Sequence, residues 1–127
     1  MQFEHFNICA PSALLEQAKA FYTEVFSLEV GFRPNFDDQG YWLYQGEQPI
    51  IHLSQREERK GYKAPGFLDH LAFRQQGIEP FTAKLKALDI AFNIKQVPQL
   101  DMQQVFLHDP AGIKLEVNFV GEKSPSI

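Results

Sequence analysis

The chain has 127 residues, 44% of them hydrophobic and 22% charged, with a net charge of −4. These values fit one domain over residues 1–127 with a sizeable core, and they leave no basic footprint for nucleic acid. No apolar run approaches the roughly 20 residues of a membrane span, and the start, MQFEHFNI, has neither the basic nor the apolar region of a signal peptide.

Residues 2–9, QFEHFNIC, alternate loosely and predict a strand. Cys9 is the single cysteine, which rules out an internal disulfide and suits a reducing, cytoplasmic compartment. Beside Ile8 it reads as a small buried hydrophobe. Ser12, after Pro11, is the expected N-cap of a helix that runs to about Phe26. Its apolar face is Leu14, Ala18, Phe21, Tyr22 and Val25. LEVGFRP, YWLYQG and PIIHLSQ predict three strands, separated by NFDDQG and by a turn at Gly46–Pro49. Residues 55–66, QREERKGYKAPG, mix both charges and read as a solvated linker. The pattern then restarts. FLDHLAFRQ predicts a strand and IEPFTAKLKALD a helix, with Pro80 in its first turn and Phe81, Leu85 and Leu88 on one face. AFNIKQV, MQQVFLHD and IKLEVNFV predict strands divided by the turns PQLD and PAG. The tail GEKSPSI is expected to be mobile.

The order strand–helix–strand–strand–strand thus occurs twice, in repeats of about 2–54 and 67–120, and the fold class is α+β. Matching EHFNI with DHLAF places His5 on His70 at an offset of 65. His52 then follows His5 by 47 residues, and Glu116 follows His70 by 46. Taken alone, His70 is better explained as a core histidine with one hydrogen-bond partner than as a metal ligand. Its repeat mate His5, and Glu116 between Leu115 and Val117, shift the reading toward metal ligands. Three imidazoles and a carboxylate converging on one cavity are costly without a common partner, and one divalent ion (Zn, Ni, Fe, Mn or Co) supplies it. His52 stays open as a ligand, a catalytic group or a substrate contact. His108, beside the PAG turn and without a repeat mate, reads as a turn residue.

HFNI, AKAFYTEVFSLEVGFR, LDHLAF and VFLHDPAGIKLEVNF, with its Asp-Pro-x-Gly-x-x-x-Glu ending, resemble the vicinal oxygen chelate superfamily. This is also called the glyoxalase/bleomycin-resistance/dioxygenase superfamily, and the likeness covers about residues 2–120. It implies two tandem βαβββ repeats forming a curved sheet around a metal pocket. It also implies a homodimer, and metal ligands at His5, His70 and Glu116. The family's glyoxalase I branch has a further ligand on the fourth strand, usually a glutamate that doubles as base. Here His52 stands at that position as the catalytic candidate, since an imidazole can also act as a base. In the family mechanism the metal binds two substrate oxygens and stabilises the charge that develops on them. The implied activity is lactoylglutathione-lyase-like isomerase or lyase chemistry on a small oxygen-chelating metabolite. Alternatives are an extradiol-type dioxygenase using Fe(II) and a binding or resistance protein without catalysis. A fosfomycin-modifying activity ranks lower, because the tail lacks the arginine expected there. Asn7, Arg74, Lys95 and Phe106 are the substrate-binding candidates, and the two cations suit a carboxylate or phosphonate.

Overall fold

The hydrophobic patterns resolve into the same five elements twice. The computed structural model describes residues 2–59 and 68–125. The first set is β1 (Phe6–Ala10), α1 (Ser12–Val25), β2 (Glu29–Gly31), β3 (Gly40–Gln45) and β4 (Gln48–Gln55). The second is β5 (His70–Arg74), α2 (Ile78–Ala87), β6 (Asn93–Val97), β7 (Met102–His108) and β8 (Lys114–Val120). The chain divides into two compact units, Met1–Lys63 and Ala64–Ile127, and each holds one repeat. No helix among the described residues is long and apolar enough to cross a membrane.

Each unit has one four-stranded sheet, ordered β1-β4-β3-β2 in the first and β5-β8-β7-β6 in the second. β1 and β4 run parallel, as do β5 and β8, while the remaining pairs are antiparallel. Because strand side chains alternate between faces, each sheet has an apolar face and a polar face. In the first unit Ile8, Ala10, Leu43, Ile51 and Leu53 are buried, and α1 supplies Leu15, Ala18, Phe21, Tyr22 and Val25 against them. In the second, Val105, Leu107, Leu115, Val117 and Phe119 are buried, and Phe81 of α2 packs on Phe119 with ring centroids 5.5 Å apart. Full burial of one such side chain contributes about 1.5–3 kcal/mol. These two faces therefore dominate stability and leave the opposite faces for chemistry.

Several boundaries differ from the sequence expectation. His5 precedes β1, and His70 opens β5 rather than sitting inside it. Leu15, not Leu14, is the buried residue of the first turn of α1, and Leu88 falls beyond α2 with its side chain 37% exposed. Ser12 does not cap α1 with its side chain. Its backbone N–H instead donates to Glu57 Oε1 at 3.0 Å. Cys9 is half-buried, paired with Ser54 on the polar face, because Ile8 and Ala10 take the core positions on either side. PQLD forms a 3-10 turn over Pro98–Leu100. Within the expected linker, Gln55 still belongs to β4 and Glu57–Arg59 form a 3-10 turn. Residues 60–67 lie outside the described part.

The tail is tied down through residue 125. Glu122 accepts from the backbone N–H groups of Gly77 and Ile78 at 2.9 and 2.8 Å, satisfying donors that a helix N-terminus leaves without partners. Gly77 holds φ at +89°, a value that glycine adopts without the strain a side chain brings. Ser124 donates to Gln103 Oε1 at 3.0 Å.

Candidate functional site

On the polar face of the first unit, strand register places Asn7, His52 and Trp42 in one row across β1, β4 and β3. His52 is 9% exposed and lies between two rings. Trp42 stacks on one side, with centroids 3.9 Å apart and planes 10° apart. His5 stacks on the other at 3.7 Å and 13°. His52 Nε2 is buried without a hydrogen-bond partner. Burial, helped by the adjacent His5, pushes the His52 pKa below the ordinary 6.5, so the ring is neutral at pH 7. His5 Nδ1 meets Glu4 Oε1 at 2.8 Å, and Asn7 donates to Ser54 Oγ at 2.9 Å.

The second unit repeats the pattern with different chemistry. Three rows cross the polar face of its sheet. One contains His70, Lys114 and His108; the next Ala72, Glu116, Phe106 and Asn93; the third Arg74, Asn118, Gln104 and Lys95. His70 Nε2 lies 3.4 Å from Glu116 Oε1, and His70 Nδ1 meets Asp69 Oδ2 at 2.8 Å. Asn118 donates to Glu116 Oε2 at 2.9 Å. The hydrogen bond with His70, and then the charge of Lys114, lower the pKa of Asp69, so it stays ionised beside the imidazole. Lys114 Nζ is 3.9 Å from Asp69 Oδ2 and 5.1 Å from the centre of the Phe106 ring.

These arrangements suit a bound cation. A histidine that ligates a metal usually gives its second ring nitrogen to a carboxylate or carbonyl, which fixes the tautomer and frees the first. His5 and His70 each have a carboxylate at Nδ1, and His52 has an unpartnered Nε2. Each unit by itself brings together two metal-competent side chains. Among the described residues no group of three or more is assembled.

All five second-unit candidates, His70, Arg74, Lys95, Phe106 and Glu116, fall on one face. Asn7 and His52 share a face in the first unit. His108 is exposed at the end of β7, as a turn residue should be. The stacking of Trp42 on His52 depends on the β3–β4 register. Lys114, two residues before Glu116, shares its face as the strand period expects. The period of two along β8 holds the signal for Lys114.

Residues 2–117 match the family model described as the glyoxalase/bleomycin resistance protein/dioxygenase superfamily. No curated protein matches the chain. Among solved structures, a protein from Bacillus anthracis described as of the glyoxalase family is 25% identical, with 94% of this chain and 95% of that chain covered and a TM-score of 0.74. The fosfomycin resistance protein FosX from Listeria monocytogenes, solved with Mn(II) and 1S,2S-dihydroxypropylphosphonic acid, is 14% identical over 94% and 92% of the two chains, with a TM-score of 0.73. Lactoylglutathione lyase from Agrobacterium tumefaciens is 22% identical over 93% and 92%, with a TM-score of 0.67. The last two likenesses concern the fold alone. With nearly its whole length matched by the family model, the chain belongs to the glyoxalase/bleomycin resistance protein/dioxygenase superfamily.

Proposed function

We propose that this chain is a metal-dependent enzyme with isomerase or lyase chemistry of the lactoylglutathione-lyase kind, acting on a small oxygen-chelating metabolite. The observation that carries this reading is the repeated carboxylate–imidazole pair. Glu4 with His5, and Asp69 with His70, recur at the same offset and the same 2.8 Å distance. His5, His70 and Glu116 hold one divalent ion (Zn, Ni, Fe, Mn or Co). FosX, solved with Mn(II), supports the use of such an ion in this fold. When bound, the ion supplies a Lewis acid for substrate oxygens.

His52, neutral at pH 7, has an unpartnered Nε2 and is the group that takes and returns a substrate proton. Asn7, Arg74, Lys95 and Phe106 contact the substrate. The enzyme works as a cytoplasmic homodimer. Phe3 and Phe32, 74% and 75% exposed on a single chain, suit cover by a second copy. The set of two histidines and one carboxylate also favours a second reading, an Fe(II) dioxygenase.

Metal titration of chelator-treated protein tests the proposal. Trp42 is the only tryptophan and stacks on His52, so its fluorescence reports the site. One equivalent of Ni(II) or Zn(II) should bind at neutral pH and change that emission. Glu116→Gln and His70→Ala should weaken binding by more than the roughly 10–100-fold that loss of a ligand's outer partner costs. A glutathione hemithioacetal assay tests the lyase activity, and oxygen uptake with catechols under ferrous conditions tests the dioxygenase. Absence of metal binding would overturn both.

A further inference from the structure

One feature of the second unit is used by neither the ligand set nor the base. A cavity of about 490 Å³ opens at the end of β7, with Phe92, Asn93, Phe106, His108 and Lys114 among its lining residues. That volume lies within the range of about 300–1,000 Å³ for small-molecule sites. Its position follows from the β7–β8 hairpin. Asp109, 5% exposed, accepts from the backbone N–H groups of Ala111 and Ile113 at 2.8 and 2.9 Å. This local loop pins the turn and sets His108 opposite Lys114 and Phe106 opposite Glu116. Of the lining residues, Asn93, Phe106, His108 and Lys114 thus share a sheet face with His70 and Glu116.

Its chemistry has two parts. Phe92 and Phe106 give the lining apolar aromatic surface for a ring. Lys114 offers an ammonium, placed over Phe106 at 5.1 Å and 3.9 Å from Asp69. An ammonium has three N–H donors, so the contact with Asp69 leaves donors for a second anion. Asn93 and His108 add polar groups at the same end, since Asn93 pairs with Phe106 and His108 with Lys114. An aliphatic polyol would leave the two phenylalanines without a matching surface, and a neutral arene would leave the ammonium unused.

We infer that this cavity is a binding subsite for an aryl carboxylate, with the ring against Phe92 and Phe106 and the carboxylate on Lys114. The inference deepens the proposed function by giving the substrate a class. It rests on that reading only for the claim that the bound molecule is the one transformed. Arg74 and Lys95 lie in the row on the far side of Glu116, so the subsite assigns anion recognition to a different cation from those two.

Benzoate is the probe, with benzyl alcohol as its uncharged counterpart, titrated by NMR into metal-free protein and into Ni(II)-loaded protein. Benzoate should shift the signals of Lys114, Phe106 and Asn93 in a saturable manner in at least one form, and benzyl alcohol should bind about tenfold more weakly. Lys114→Met should weaken benzoate about tenfold and leave benzyl alcohol unchanged. Phe106→Leu should weaken both. Equal affinity for the two probes, shifts elsewhere, no binding in either form, or full affinity in Lys114→Met would each overturn the inference. Metal binding is measured separately in the same samples, so loss of the metal reading is seen independently of the benzoate result.

Discussion

His52 shows how one side chain's surroundings decide its protonation. Trp42 and His5 cover both faces of its ring, and water is excluded from Nε2. A charged imidazole there loses hydration and gains a ring neighbour that itself can charge, so the pKa falls. The consequence for stability has a definite sign. Above pH 6.5, the ordinary value, folded and unfolded chains both carry a neutral ring, and this residue adds no pH dependence. Below it the unfolded ring takes up a proton that the folded ring refuses, so stability falls with pH until the lowered folded value is passed. Urea unfolding of metal-free protein between about pH 7.5 and about 5.5 should therefore show decreasing stability toward acid. His52→Gln should flatten the decline, because glutamine does not titrate. An unchanged slope in that variant would place the acid sensitivity elsewhere. The position of His52 was legible from its spacing to His5, but its cover was not. Trp42 lies ten residues upstream on a separate strand, and only the β3–β4 register brings the rings together.

Helix entry tells the same story one level up. Glu57 accepts from the first backbone N–H of α1, and Glu122 accepts from Gly77 and from the first N–H of α2. The two glutamates are repeat mates at the same offset of 65 that relates His5 to His70, and so are Ser12 and Gly77. Each repeat thus ends by returning a carboxylate to the start of its own helix, where the helix dipole favours negative charge. Glu122→Gln should cost about 1–2 kcal/mol of stability, since it loses the charge shared by two hydrogen bonds in a partly buried setting. Glu57→Gln, with one exposed backbone bond, should cost about 0.5 kcal/mol. Thermal melts of the two variants check both values, and equal, negligible losses would mean that water satisfies these helix ends. The helices and most strands were legible because apolar spacing marks them directly. These carboxylates were missed because a polar tail carries no periodicity, and composition alone makes GEKSPSI look unattached. The error at Ser12 has a similar source. A serine before an apolar run is a good local cap signal, yet a glutamate 45 residues away takes that role through tertiary structure.

At the scale of the molecule, two compact units each hold half of the expected donors, His5 and His52 in one, His70 and Glu116 in the other. The repeat was legible from the histidine offset because an identical fold must return an identical strand position to the same face. What spacing does not encode is whether one copy of the chain or two supply a complete set. If His5, His70 and Glu116 hold one ion, binding ties the stability of one unit to that of the other. Ligand at 100 times its Kd stabilises the binding-competent state by about 2.7 kcal/mol. Hydrogen exchange should therefore slow in β4 and in β8 together when Ni(II) is added to chelator-treated protein. His5→Ala should remove the protection in β8 as well as in β4, although His5 belongs to the other unit. Protection confined to one unit would mean that the ion is held by that unit's pair alone. Mixing the His5→Ala and His70→Ala proteins then separates the two sources of donors. Sites drawn from two copies regain one intact centre per mixed dimer, so tight metal binding returns on mixing. Sites built within a single chain stay broken in every copy, and mixing restores nothing.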